Sequence, residues 1–304
     1  MLLALLVLLW TQAGIASRSL LVVSDRGNHT HRIITDYLGE HLNGPAKESA
    51  DIRIDYLDMR SAQEGIPAEL APDLILTVGT NAAARVNGQT KDVPVLNVFL
   101  PHAAFRQLSE ASGHQAAAIV LDQPLKRQLA VAHALLPDAQ RAGMLRGSLA
   151  LHESGAPAAD AVAFGLNLNI YRIEDDNPAA AIQQLLNTSD VVIAIFDPEV
   201  YKPATAKWLL YLAFQQQRPI VGFSYALLKA GAVAAVFSTP EQIAEHAEDV
   251  VAEWLRSGNL PSGTQFPRYY HIGLNGPVAK RLGIVTPSES DLQRRVQDLL
   301  GELP

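Results

Sequence analysis

The stretch Asp190–Phe237, DVVIAIFDPEVYKPATAKWLLYLAFQQQRPIVGFSYALLKAGAVAAVF, constrains this chain most. Its run Val191–Phe196 is continuously apolar and rich in Val and Ile, which suits a strand covered on both faces, as in a parallel sheet. Asp197-Pro198 stops the run. Pro203 stands where a first helical turn tolerates proline, because no intrahelical N–H is needed there. Trp208, Leu209, Leu212 and Ala213 then recur at helical spacing. Arg218-Pro219 ends that helix, and Ile220–Phe223 reads as the next strand. Such a strand–helix–strand unit crosses over right-handed. In open α/β sheets the loops beyond the C-terminal strand ends hold ligands. Here those loops carry Asp197, Tyr201, Ser224 and Tyr225.

The remainder of the chain repeats the pattern. Strands are expected at Ser19–Ser24, Ile52–Leu57, Leu74–Val78, Val93–Phe99 and Ala116–Leu121. Helices are expected at His29–Leu42, after Gly79-Thr80-Asn81 with Thr80 or Asn81 as N-cap, and at Gln123–Leu136. The alternation then restarts. Strands are expected at Ala142–Leu145 and Leu166–Ile173, with helices from Ser148 to Phe164 and over Pro178–Leu186. Pro240–Arg256 reads as a long helix capped by Thr239, with Glu241 in the turn where the macrodipole favours an acid. Tyr269–Ile272 reads as a short strand, and Gly276–Leu282 and Glu289–Leu300 as helices. Repeated β-then-α order is the mark of a doubly wound parallel sheet. Two such runs of similar size, without a Pro- or Ser-rich linker, point to two α/β lobes joined by short crossings with a ligand cleft between them.

Composition narrows the function classes. The 304 residues are 48% hydrophobic and 18% charged, with net charge -7. This is ordinary globular composition, and it lacks the clustered Lys and Arg of a nucleic-acid binder. No cysteine is present, so disulfides, thiolate nucleophiles and Cys-ligated metals are excluded. The apolar block MLLALLVLLW is shorter than the ~20 residues of a membrane span. With Gly14-Ile15-Ala16 behind it, Met1–Ala16 reads as a secretory signal. Export without cysteine, hence without a lipid anchor on an N-terminal Cys, points to a periplasm.

Residues just past the strand ends are the cleft candidates: Asp25, Asn28, Thr80, Asn81, Phe99 and His102 in the first run, and Arg146, Ser148, Asp197, Tyr201, Ser224 and Tyr225 in the second. Helix starts at Asn81 and Ser148 offer free N–H groups to a carboxylate; the alternative is that both are plain caps. Asp197 suits an ammonium group or, before Pro198, only a turn. Phe99, Tyr201 and Tyr225 suit a ring-bearing body or a place in the core. The segment Gly222-Phe223-Ser224-Tyr225-Ala226 is close to the G-x-S-x-G nucleophile elbow, with Asp249 and His271 downstream in the order of a serine hydrolase. Its last glycine is replaced by Ala226, and Asp249 falls within a helix. His29-x-His31 lacks further metal ligands at useful spacing, and neither G-x-G-x-x-G nor a P-loop occurs, so no cofactor is expected.

PDLILTVGTNAA, VPVLNVF, LLPDAQRAGMLRG, SDVVIAIFDPEVY, RPIVGFSYALLKAGAVAAV and LNGPVAKRLGIVTP together carry a family resemblance. The chain resembles the ABC transporter substrate-binding proteins of the tryptophan/tyrosine-binding type, with a type I periplasmic-binding-protein fold. The resemblance implies two lobes, residues 17–121 with 241–270 and residues 122–240 with 271–304, connected by three crossings. It also implies a non-enzymatic monomer that closes on a small organic, amino-acid-like solute and delivers it to an ABC permease. A ligand-sensing adaptor for a membrane receptor or TonB-dependent system is the alternative, and a Ser224 hydrolase a lesser one. Two departures touch the cleft: LPHAAFRQLSEASG replaces the usual N-I-T-G stretch after the fourth strand, and Ser224 stands where many members carry an acid.

Overall fold

The computed structural model describes residues 18–42, 52–59, 65–90, 92–112, 116–147, 157–173 and 178–302. The expected signal segment and Ser148 lie outside the described residues. Two six-stranded sheets organise the chain. In the first, β1 (Arg18–Ser24), β2 (Ile52–Asp58), β3 (Leu74–Val78), β4 (Val95–Leu100), β5 (Ala116–Val120) and β11 (Gly263–Gln265) run in the order β11-β5-β4-β3-β1-β2, all parallel. In the second, β6 (Arg141–Arg146), β7 (Asn167–Arg172), β8 (Val191–Ile193), β9 (Ile220–Gly222), β10 (Ala234–Phe237) and β12 (His271–Leu274) run in the order β12-β10-β9-β8-β6-β7. Only β12 is antiparallel, against β10.

Helices cover both faces of each sheet, which is why the central strands are apolar, while the edge strands β2, β7 and β11 carry polar residues. On one face of the first sheet, α1 (His29–Leu42) and α9 (Pro240–Ser257) bury Ile34, Leu38, Ile243, Val251 and Trp254 against Leu20, Leu76 and Leu96. On the other, α2 (Thr80–Asn87) packs Ala82 and Val86 on Leu21, Val23 and Ile75. On the second sheet, α4 (Leu125–Leu135) and α11 (Glu289–Leu300) share one core, while α6 (Pro178–Thr188) and α7 (Pro203–Gln215) share the opposite one. The shorter helices are α3 (His102–Ser112), α5 (Pro157–Val162), α8 (Tyr225–Ala230) and α10 (Gly276–Arg281).

Each sheet reverses its strand order once, between β1 and β3 and between β6 and β8. Such a switch point opens a crevice at the C-terminal strand ends. The chain passes between the sheets three times: from β5 to α4, from β10 to α9, and from β11 to β12.

Local chemistry explains most boundaries. Thr239 caps α9 in a reciprocal capping box with Gln242, Pro240 occupies the first turn, and Gly258 closes the helix at φ 76°. Several expectations are corrected. α2 is capped by the backbone of Gly79, not by Thr80 or Asn81, and no side chain caps it. Gly79 sits at φ 87°, and a Cβ there would stand 2.7 Å from His31 Cε1, so the close packing of His31 selects glycine. The central strands are shorter than their apolar runs, ending at Ile193 and Gly222, because Phe196 and Phe223 turn into loops. α3 and β11 were not anticipated; α3 occupies His102–Ser112 within the segment that departs from the family pattern.

Candidate functional site

A cavity of 970 Å³ is lined from both sheets and from all three crossings. Phe99 and Thr30 come from the first sheet's side; Met144, Arg146, Ile170, Phe196, Phe223 and Tyr225 come from the second's. Gln123, Ser238 and Phe266 belong to the crossings. Five of the chain's eight phenylalanines line the cavity, together with Tyr225. That composition favours a ligand with an apolar, flat body. Phe196 and Phe223 meet edge to face with centroids 5.7 Å apart, and Tyr201 braces Phe223 from behind at 5.1 Å. Phe196, Tyr225 and Phe266 remain 37%, 57% and 41% exposed, apolar area left open for a ligand to cover.

Phe99 is held in the left-handed region, at φ 60°, where the register of β4 against β5 shifts between Val98 and Leu100. A bulky residue there is an outlier, sustained only when the surroundings fix it. His31 presents its ring edge-on to Phe99 at 6.0 Å. Burial lowers the pKa of His31, partly opposed by Asp25, so it favours the neutral ring. Its Nδ1 is buried without a hydrogen-bond partner.

The polar lining includes four charged side chains, Asp122, Lys126, Arg146 and Asp160. Arg146 ends β6 with 8% exposure. Ser224 caps α8, its Oγ accepting the Leu227 N–H at 3.2 Å, which leaves its own O–H to donate. Gln123 donates to Ser238 Oγ at 2.9 Å, and Ser238 donates to the Tyr269 carbonyl at 2.6 Å. Asp122 accepts the His102 N–H at 2.7 Å and so anchors the start of α3.

Of the residues expected at the cleft, Phe99, His102, Arg146, Ser224 and Tyr225 line the cavity. Asp25, Asn28, Thr80, Asn81, Asp197 and Tyr201 do not. Asp25 and Asn28 shape the turn into α1: Asp25 accepts from Gly27 N at 3.0 Å, and Asn28 Oδ1 accepts from Thr30 N at 2.9 Å. Thr80 and Asn81 are exposed on the first turn of α2. Asp197, 3% exposed, takes the turn-forming place that was the alternative to an ammonium ligand. Its Oδ2 accepts from Gly147 N at 2.8 Å and its Oδ1 from Glu199 N at 3.0 Å. Tyr201 belongs to the core behind Phe223; its hydroxyl is buried unpartnered, and burial raises its pKa.

Phe196, Phe223, Phe266 and Gln128 were missed. The first two lay inside apolar runs that read as strand. Gln128 carried a signal, a polar residue on the stripe Leu125, Leu129, Ala132 of an otherwise apolar helix face. The hydrolase arrangement does not assemble. Asp249 accepts from Arg268 and Tyr269, His271 lies 3.6 Å from Glu289, and no hydrogen bond joins any two of Ser224, Asp249 and His271. Among the described residues no cluster of three or more His, Asp or Glu suits a metal, and no helix is long and apolar enough to cross a membrane.

Two doubly wound sheets with a cleft at their switch points define a type I periplasmic-binding-protein fold. The chain belongs to the ABC transporter substrate binding protein family, whose model matches residues 68–294. Solved structures of similar fold include an ABC domain from Streptococcus pneumonia in complex with L-Trp, 16% identical, covering 92% of this chain and 98% of that one at TM-score 0.58. A ligand-free, open substrate binding protein with adhesive properties from Clostridium difficile is 16% identical, covering 89% and 96% at TM-score 0.63. A conserved domain protein from Vibrio cholerae is 18% identical, covering 92% and 98% at TM-score 0.57. No curated protein matches the chain.

Proposed function

We propose that this chain is a periplasmic, monomeric solute-binding protein that closes two lobes on a small ring-bearing organic solute and presents the closed form to an ABC importer. The lobes are residues 17–121 with 241–270 and residues 122–240 with 271–304, and the export signal is Met1–Ala16. The observation that carries the reading is the aromatic cavity, fed by strand ends of both sheets and by every crossing. A ligand touching both sides binds the closed arrangement better than the open one, which is the condition for shifting that equilibrium. The relative solved with L-Trp supports a flat, amino-acid-like solute. Arg146 and the Ser224 hydroxyl suit a carboxylate on that solute. No step of this function makes or breaks a covalent bond.

The test is a thermal-shift screen of the chain from Ser17 against aromatic amino acids, benzoates, aliphatic amino acids, sugars and peptides. A ligand that binds only the native state stabilises it by ~2.7 kcal/mol at a hundredfold excess over its Kd. Hits confined to ring-bearing acids support the reading. Hits confined to sugars or aliphatic amino acids refute the ligand class, and a folded protein with no hit shifts weight to the adaptor reading.

A further inference from the structure

His31 stands in the first turn of α1, half-buried next to the cavity-lining Thr30. A Cβ on Gly79 would lie 2.7 Å from its Cε1 and 2.8 Å from its Nε2, so the ring rests on bare backbone. It also meets the Phe99 ring at 81°, with centroids 6.0 Å apart. Phe99 lines the cavity from a left-handed backbone, φ 60°, where β4 slips register against β5. A bulky residue keeps that conformation only while its surroundings fix it, and His31 is part of those surroundings.

The slot between Gly79 and Phe99 suits one protonation state. His31 Nδ1 is buried without a hydrogen-bond partner. In the imidazolium both nitrogens carry N–H, so Nδ1 becomes an unpaired buried donor on a cation, a costlier case than an unpaired atom on a neutral ring. The positive end of α1 also disfavours a cation in its first turn. Burial acts in the same direction, and Asp25, in the turn after β1, pulls the other way. Gly79 and Phe99 bring no charge, and His29 and Arg32 on α1 itself are exposed.

We infer that His31 is a positioning residue for Phe99 that works only as the neutral ring, so that a proton taken up at His31 releases the Phe99 wall of the cleft. In acid the Nδ1–H must reach water, the ring leaves its slot, and Phe99 loses a contact that holds its backbone. Taking the cavity as the ligand site rests on the solute-binding reading above; on that reading the cleft holds its solute less tightly in acid.

The experiment is an NMR titration of the full chain from about pH 8 to about pH 5, following the aromatic carbon-bound protons of His31 and Phe99. The expected result is a His31 midpoint below the ordinary 6.5 and a change in the Phe99 resonances that follows the same midpoint. In His31→Gln the Phe99 change is lost while the other histidines titrate as before. The shared midpoint in the unsubstituted protein stands alone if that variant does not fold. In Gly79→Ala the added Cβ expels the ring, and His31 titrates at the ordinary value. A His31 midpoint at or above 6.5 overturns the slot's preference for the neutral ring. A Phe99 signal that stays constant through the His31 titration, or still moves in His31→Gln, overturns the positioning role. The titration uses no ligand, so each of these failures leaves the solute-binding reading standing, and that reading fails separately in the ligand screen.

Discussion

Arg127→Met is the sharpest test of how the crossings are held together. Arg127 is 6% exposed, and its guanidinium touches every crossing directly or through one neighbour. It donates to Gln123 Oε1 at 2.8 Å, to the Pro267 carbonyl at 2.7 Å and to Glu302 Oε1 at 3.1 Å. Its plane lies over the Tyr270 ring at 3.9 Å, and Tyr270 donates to the second oxygen of Glu302 at 2.8 Å. Gln123 in turn holds Ser238. Methionine fills the same channel but leaves the Gln123 and Pro267 oxygens without their Arg127 donor and the Glu302 carboxylate with only its Tyr270 hydrogen bond. Breaking a buried pair costs ~3–5 kcal/mol, because the surviving charge stays desolvated. Glu302 retains 22% side-chain exposure, so water recovers part of this and the lower figure, ~3 kcal/mol, applies. At ~2–4 °C per kcal/mol for a chain approaching this size, Tm falls by ~6–12 °C in scanning calorimetry. Arg127→Met with Glu302→Gln removes the stranded charge and recovers part of the loss. A single-variant loss below ~1 kcal/mol, or no recovery in the double variant, refutes the argument.

Four further outcomes follow from the same geometry. His246, 2% exposed in α9, has its pKa lowered to about 4, first by burial and then by Arg268. The unfolded chain therefore binds a proton below pH ~6.5 that the native state refuses. Stability is full above that pH and declines towards pH 4 by at most ~3 kcal/mol, and His246→Gln flattens the decline in pH-resolved denaturant melts. The Asp190 carboxyl is held at about 2, chiefly by its hydrogen bond from Arg141. Its contribution is present above the ordinary carboxylate range and lost as pH falls through 2, so the Tm difference between Asp190→Asn and the unsubstituted protein closes on acidification. Gly79→Ala meets both a positive φ and the His31 ring; it costs ~1–3 kcal/mol in urea melts and, by moving His31, disturbs Phe99. Phe223→Ala removes a ring packed on Phe196 and Tyr201; calorimetry should show ligand affinity down about ten- to a hundredfold, ~1.4–2.8 kcal/mol.

The fold was legible because both sheets are parallel apart from β12, and their central strands are covered on two faces. Burial on both faces writes strands as unbroken apolar runs, and Leu74–Val78 was read to the residue. Helix starts with proline or capping chemistry were equally plain, as at Pro203 and Thr239. β11 was not legible. Its Gly263-Thr264-Gln265 has neither length nor alternation, and it is a strand only because β5 offers an open edge. The site was read in part, since topology names the loops that border a cleft but not which of their side chains turn inwards. Asp197 illustrates the limit: its carboxylate accepts from the N–H groups of Gly147 and Glu199, and Gly147 is 50 residues away in sequence. Phe223, one residue before Ser224, was hidden by an apolar run that continues past the last strand hydrogen bond.

The cleft and the crossings are not separate devices. Gln123 and Ser238 line the cavity, and both belong to the network that Arg127 holds. Gln123 uses its oxygen for Arg127 and its nitrogen for Ser238, while Ser238 spends its proton on the Tyr269 carbonyl. A ligand reaching either residue therefore contacts the segments about which the two sheets would rotate. On the proposed reading this gives a ligand two ways to favour closure: contacts to both walls, and direct bias on the segments that join them. The second acts only if the network differs between open and closed states, since a ligand shifts an equilibrium by no more than its difference in affinity for the two. Arg127→Met separates the two routes. If wall contacts alone drive closure, the variant loses stability but keeps its ligand affinity once corrected for the unfolded fraction; if the crossings contribute, affinity changes with them.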